Sequence, residues 1–302
     1  MSSESGRSKS PPGEAAASEK PSRTVAVRGG FERRENEAGG LFQRPAKVSA
    51  YVIAYNNEAT IGACLESVRW ADELIVVDSH STDATEKISR EFTDKIYQHE
   101  FHGFGRLRNE AVAHASHEWV FSLDTDEVAT PEIRDEIRRL LDRGPEADAY
   151  FVPRKNYFLG RWIRHCGWYP DYRQPQLFRK DRMKYCDQLV HETFELHGTV
   201  GHLKEHVLQY PFQDIDQYLA KMDRYSDLMA RRMVEQGRRF RTHQLISHPV
   251  FTFLKMYLGR MGFLDGRPGL ILSGLYAYYT FIKYAKLWEL QRGPTAGGEG
   301  LR

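Results

Sequence analysis

Cysteine is scarce. The 302 residues hold three, Cys64, Cys166 and Cys186, far apart and odd in number, which excludes a disulfide framework and suits a reducing compartment. Long hydrophobic runs are lacking too. The apolar stretch at 268–282 is interrupted by Gly269, Ser273 and Gly274 and falls short of the roughly twenty apolar residues a bilayer span requires. Nor is there an excess of charge of one sign: 43 Lys and Arg stand against 41 Asp and Glu, a net charge of +2, so nothing argues for a nucleic-acid partner. The first 47 residues, rich in Ser, Gly, Pro, Ala, Arg and Glu, contain no apolar core region. They are therefore no secretory signal and are expected to form a disordered tail, as is the short end at 294–302. The remaining composition is that of a globular protein, long enough for one good-sized core and a smaller module.

What is present has the rhythm of alternating strands and helices. The run from Val48 to Ala54 reads as a buried strand ending in the polar loop Tyr55-Asn56-Asn57. A helix with Ile61, Leu65 and Val68 on one face follows. The apolar run 74–77 stops at Asp78, and Ser79 to Asp83 open another helix with residues suited to capping. A short strand over 95–98, a helix through 111–115 and a strand over 119–123 lead into Asp124-Thr125-Asp126-Glu127. Thr130 and Pro131 then read as an N-cap and the first helical residue. Such alternation predicts an α/β fold with a doubly wound, mostly parallel sheet. Ligands of such sheets bind beyond the carboxyl ends of the strands, so the polar clusters at 55–58, 78–79 and 124–126 are expected to converge on one crevice.

Asp124 and Asp126 carry the central chemical inference. Two carboxylates one residue apart at a strand terminus can meet a divalent cation together with ribose or phosphate oxygens, and hard oxygen ligands suit Mg²⁺ or Mn²⁺. Asp83 is read instead as a helix cap. His165, Cys166, Cys186 and His191 match no paired-ligand zinc spacing.

Val52 to Glu58, Cys64 to Val68, Val76 to Ser79, Ser81 to Thr85 and Ser122 to Glu127 together resemble the donor half of the family 2 glycosyltransferases, whose domain is the GT-A fold. Trp70 to Glu73, Gly103 to Gly105, Asn156 to Gly160, Gly167 to Asp171, Leu189 to Glu192, Gly262 to Gly266 and Lys283 to Glu289 resemble the bacterial lipopolysaccharide inner-core glucosyltransferases. That resemblance implies an inverting transfer of a hexose such as glucose from a nucleoside-diphosphate donor, a UDP-sugar, to a lipopolysaccharide-core or other lipid-linked acceptor. It implies donor binding by Ala54, Tyr55, Asn56, Glu58, Asp78, Arg108, Asn109 and Asp124, and a metal on Asp124 and Asp126; His191 is read as either a further metal ligand or a residue that supports the ligands. The acceptor hydroxyl must lose a proton as it attacks, which calls for a carboxylate base. Glu192 is the first candidate, with Asp187 and Asp171 in reserve. One departure is that Gln176 stands where the subfamily has an arginine before Leu177-Phe178-Arg179, leaving Arg173 or Arg179 to meet the phosphates.

The expected organisation is a tail over 1–47, a glycosyltransferase domain over 48–212 (donor half 48–150, acceptor half 151–212) and a helical extension over 213–293 that includes a long helix at 215–236. Lys283, Lys286, Trp288 and the tyrosines near the apolar stretch suit an interfacial helix. The arginines upstream suit an anionic leaflet, so the expected location is cytoplasmic and peripheral on the inner membrane face. Two other functions fit parts of the pattern. A nucleotidyltransferase would need a glycine-rich basic signature after the first strand, which Tyr55-Asn56-Asn57-Glu58 is not. A catalytically silent membrane-binding homologue would not need the acidic pair.

Overall fold

The computed structural model describes residues 46–186 and 193–292. The expected tails, apart from residues 46 and 47, lie outside the described residues, as do Asp187, His191 and Glu192. The described residues form two compact units, one of 46–155 with Pro170–Gln209, the other of Asn156–Tyr169 with 210–292.

The first unit begins with β1 (Val48–Ala54), α1 (Ile61–Ser67), β2 (Glu73–Asp78), α2 (Thr85–Ser89), β3 (Ile96–Gln98), α3 (Phe104–His114) and β4 (Trp119–Asp124). Then come β5 (Glu127–Ala129), α4 (Pro131–Arg143), β6 (Ala149–Phe151) and β7 (Arg154–Phe158), whose last residues belong to the other unit. β8 (Arg161–Trp162) lies in that other unit, and β9 (Pro175–Arg179), β10 (Met183–Tyr185), β11 (Phe194–Leu196), β12 (Val200–His202) and β13 (Val207–Gln209) complete the first.

Its main sheet has seven strands in the order β12-β6-β9-β4-β1-β2-β3. β3, β2, β1 and β4 are mutually parallel, whereas β9 runs antiparallel between β4 and β6. All residues of β1, β2 and β4 are buried, as parallel strands covered on both faces must be. Alternation divides them. Val48, Ala50, Val52, Val76, Phe121 and Leu123 face one core with Ile61, Leu65 and Ile133, while Tyr51, Ile53, Ile75, Val77 and Val120 face another with Leu107 and Ala111. The expected caps form as well: Thr130 Oγ1 accepts the Ile133 N–H at 3.3 Å, and Pro131 occupies the first turn of α4.

β1 lies between β2 and β4, so the chain winds outward through β2 and β3 and then returns to the other side of β1. This reversal is the topological switch of a doubly wound sheet. In register, Ala54 lies opposite Asp78 and Ile53 opposite Asp124, which brings the three polar strand ends to one edge.

The opposite end of the sheet is pinned by Glu73, which is 7% exposed. Its carboxylate accepts from the Ser116 N–H at 2.7 Å and the Ser116 hydroxyl at 2.6 Å, and also from Ser49 and Lys95. Burial would raise its pKa, but these hydrogen bonds outweigh burial and draw it down from 4.5 to about 2. A depressed pKa contributes stability that is complete above about pH 4.5 and lost as pH falls towards 2, worth about 3 kcal/mol. Glu73→Gln is therefore expected to melt below the wild type at neutral pH, with the gap closing across that acid window. A gap that is unchanged at the lowest pH would remove the electrostatic account.

In the second unit, β7 and β8 form a hairpin, and the helices are α5 (Ile215–Glu235), α6 (Gln244–Leu254) and α7 (Gly266–Arg292). A π-helical turn (Lys255–Gly259) and a 3₁₀ turn (Gly262–Asp265) join α6 to α7. Asp214 caps α5 by accepting the Gln217 N–H at 2.7 Å. Residues 156–169, assigned by chain order to the acceptor half, group here for a packing reason. Phe158, Ile163, Cys166 and Trp168 share a core with Phe212, Tyr218, Met222, Met256, Leu272 and Tyr276. No helix among the described residues is long and apolar enough to cross a membrane.

Candidate functional site

The loops after β1 and β2 are tied to each other. Asn56 and His80 adopt left-handed backbone, with φ of 51° and 58°, a conformation that non-glycine residues hold where the surroundings enforce it. The Asn56 N–H donates to Ser81 Oγ at 2.9 Å, and its side-chain oxygen accepts the Thr82 N–H at 2.7 Å. Glu58 accepts the Ala84 N–H at 2.9 Å, and Asp83 accepts the N–H groups of Glu58 at 3.1 Å and Thr85 at 2.9 Å. Asp78 is fully buried and holds both the N–H, at 2.9 Å, and the hydroxyl of Ser81. Glu58 and Asp78 thus tie the two loops together, and Asp83, expected as a helix cap, stands one residue before the N-cap position of α2, which is Ala84, and joins the loops through Glu58 and Thr85.

At the end of β4 the charges are paired in depth. Asp124 is 5% exposed, and its carboxylate takes the Arg108 Nη2 at 2.6 Å. Arg108 is fully buried and also donates to Ser122 Oγ at 3.1 Å. Asn109, next on α3, exchanges two hydrogen bonds with the Tyr185 backbone, at 2.8 and 3.0 Å. Gly105 permits this approach, since a Cβ there would lie 2.2 Å from the Cys186 carbonyl oxygen. Arg108 therefore positions Asp124, and Asn109 anchors β10. Lysine can reach Asp124 or Ser122 but lacks the planar fork that meets both. Arg108→Lys is expected to raise KM for the donor roughly tenfold, with a smaller change in kcat. An unchanged KM in steady-state kinetics would show that Asp124 does not depend on this pairing.

Sequence reasoning gave Glu127 no role, yet it is the hub beneath the pair. Fully buried, it accepts the Asp124 N–H at 3.1 Å, the Gln176 amide at 2.8 Å and the Arg154 guanidinium. Burial pushes its carboxyl up, Arg154 pulls it down, and Asp124 and Asp126 push it up again, for a net rise. Gln176 also donates to the Ser122 carbonyl at 3.2 Å, so this departure from the subfamily pattern is a neutral prop. The available signal was a third carboxylate directly after the acidic pair. Cys64 lies behind the same strand end with its Sγ 3.2 Å from the Asp124 carbonyl oxygen. Burial and the three carboxylates hold its thiol well up, which makes it unreactive.

Asp126 is half-buried, with the Gln209 amide 3.3 and 3.4 Å from its oxygens. Arg173 is beside it, donating to Gln209 at 3.3 Å and to Asp171 at 3.0 Å. Arg179 lies opposite Trp119 at the start of β4, paired with Glu118 at 2.7 Å and Asp181 at 3.3 Å. Of the two arginines suggested for phosphate contact, the fold brings only Arg173 to the acidic pair. His165 is committed elsewhere, with its Nδ1 3.0 Å from Asp265.

No group of three His, Cys, Asp or Glu side chains poised around a metal occurs among the described residues. The donor set nonetheless fits a hard divalent cation of the Mg²⁺ type, which is held through one or two carboxylates and completes its shell with waters and phosphate oxygens. Asp126, partly open to solvent at the strand end, offers such oxygens, while Asp124 is oriented behind it.

The Glycosyl transferase family 2 model matches residues 49–194. The chain is 29% identical over 253 residues to the lipopolysaccharide core biosynthesis glycosyltransferase LpsC of Rhizobium meliloti, covering 80% of this chain and 92% of that protein. It is 26% identical over 265 residues to an uncharacterized glycosyltransferase of Rickettsia felis, with 80% and 90% covered. Residues 1–349 of Staphylococcus aureus TarS resemble it at 18% identity and a TM-score of 0.43, over 82% of this chain and 92% of that one. The matched stretch, just under half of the chain, contains the sheet edge and its acidic pair and is a glycosyl transferase family 2 domain.

Proposed function

We propose that the protein is an inverting hexosyltransferase that moves a sugar such as glucose from a nucleoside-diphosphate donor, a UDP-sugar, to a lipopolysaccharide-core or other lipid-linked acceptor at the inner face of the cytoplasmic membrane. The observation that carries this reading is the convergence of Asn56, Asp78, Asp124 and Asp126 at the switch point of the sheet, with Asp124 fixed by a buried arginine. The loops at 55–58 and 78–83 would hold the nucleoside and Asp124 the ribose. Asp124 and Asp126, with His191, would hold Mg²⁺ or Mn²⁺, which neutralises charge on the departing diphosphate. Arg173 would meet the phosphates, and Glu192 would accept the proton of the attacking hydroxyl, so that the sugar is displaced in one in-line step with inversion. The near-full overlap with a relative named for lipopolysaccharide core biosynthesis supports the acceptor class.

Hydrolysis and transfer measured across UDP-, GDP- and ADP-sugars with Mg²⁺ or Mn²⁺ test the reading. The expected result is turnover of one UDP-hexose, with a product of inverted anomeric configuration. Retention of configuration, or activity with none of these donors, would overturn it.

A further inference from the structure

The second unit carries exposed apolar side chains outside the residues assigned to the donor site. α6 has no buried residue, although one side of it lies against α7. The His248 and Tyr284 rings are 4.6 Å apart, and the Thr252 and Thr280 hydroxyls 3.3 Å. The other side is a stripe of Ile246, Val250, Leu254 and Leu258, which are 72, 51, 45 and 57% exposed, flanked by Phe251 at 64%. A spacing of four drifts by about 40° per step around an α-helix. The wider π turn at Lys255–Gly259 offsets that drift where Leu258 is placed.

The stripe continues through Phe263 and Leu264, 46 and 50% exposed, on a tightly built turn. Met261 holds left-handed backbone at φ 54°. A Cβ on Gly262 would lie 2.6 Å from Cys166 Sγ, and one on Gly269 would lie 2.0 Å from the Gly262 carbonyl oxygen. Asp265 is buried and accepts the N–H groups of Arg164 at 3.2 Å and His165 at 2.9 Å. A rigid frame therefore holds these apolar side chains out. A run of exposed apolar side chains so close together in the chain is the material of an interaction surface.

Charge selects the partner. From Gly237 to Trp288 the sole acidic residue is Asp265, which is buried and paired with His165. Arg238, Arg239, Arg241, Lys255 and Arg267 in the same stretch are all exposed. An apolar stripe accompanied by exposed cations and no exposed acid complements an anionic lipid leaflet, with acyl chains for the stripe and headgroups for the cations.

We propose that α6 and the turn after it are the element that inserts into an anionic leaflet. This rests on the membrane-surface reading above and locates it. The stretch 268–288, expected from sequence to lie in the interface, contributes Leu272, Tyr276, Tyr284 and Leu287 to packed cores and leaves Leu270, Ile271, Tyr278, Phe281 and Trp288 exposed, whereas α6 has no buried residue.

Flotation of the full chain with phosphatidylcholine vesicles, with and without phosphatidylglycerol, is the test. The wild type is expected to float with the anionic vesicles, and less at high salt because screening shortens the attraction from about 10 Å at 0.1 M to about 3 Å at 1 M. Val250→Glu/Leu254→Glu should lower partitioning roughly tenfold or more with an unchanged melting temperature, whereas Tyr278→Glu/Phe281→Glu on α7 should float as the wild type does. A tryptophan placed by Phe251→Trp should be quenched by brominated acyl chains. If the wild type floats and the α6 variant floats equally, this location is wrong while the membrane reading stands. If the wild type does not float, both fall. Dimerisation that the α6 variant abolishes, without lipid binding, would show a second copy on this face and overturn the proposal.

Discussion

Asp126→Ala is expected to reduce transfer by about a thousandfold or more while the melting temperature changes little. The magnitude follows from metal stabilisation of the leaving diphosphate, worth several kcal/mol at about 1.4 kcal/mol per tenfold. The selectivity follows from position. Asp126 is half-buried, and the Gln209 amide lies 3.3 and 3.4 Å from its oxygens, so the truncation opens no core cavity. Asp124→Ala should behave differently. It strands the fully buried Arg108 guanidinium, and breaking a buried pair costs about 3–5 kcal/mol. That variant should lose both activity and stability. Treatment with a chelator should bring the wild type down to the level of Asp126→Ala and leave the variant unaffected, measured as initial rates before and after readdition of Mn²⁺. An Asp126→Ala protein with wild-type rates in chelator would rule the metal role out.

The strands and helices around this site were legible because their pattern is local. β1 is a seven-residue buried run with a single polar member, Ser49, and α4 announces itself with Thr130, Pro131 and the periodic Ile133, Ile137 and Leu141. The switch point could be placed because strand ends carry their polar residues in sequence. What was hidden depends on pairing across distance. Nothing near Gln176 says that it will prop Glu127, 49 positions away, and nothing near Arg154 says that it will meet the same carboxylate. The antiparallel insertion of β9 between β4 and β6 is likewise a matter of register rather than periodicity. Phe158 and Trp168 fall by chain order in the acceptor half, yet aromatic side chains pack where apolar partners are, here Tyr218 and Tyr276. The stripe on α6 is hard to see in sequence because the polar His248 and Thr252 face α7 while Ile246, Val250 and Leu254 are exposed, the reverse of the usual amphipathic pattern.

Glu192→Gln is expected to lower kcat by roughly a hundredfold or more, with donor affinity nearly unchanged. Inversion in one step requires a base for the acceptor hydroxyl, and the carboxylates near the acidic pair are already engaged. Asp124 holds Arg108 at 2.6 Å, Glu127 is enclosed with Arg154, and Asp171 lies 3.0 Å from Arg173. Its engagement with Arg173 sets Asp171 behind the other two candidates. Asp187 and Glu192 lie outside the described residues, between β10 and β11, and the family resemblance at Leu189 to Glu192 favours the glutamate. A glutamine amide in its place would keep the shape and the hydrogen bonding but could not take the proton. Single-turnover rates against pH discriminate between the two: in the wild type the rate should rise as the base ionises, and in Glu192→Gln that limb should vanish. Calorimetric titration of UDP into both proteins should give similar affinities. If Glu192→Gln turns over normally and Asp187→Asn does not, the base is Asp187.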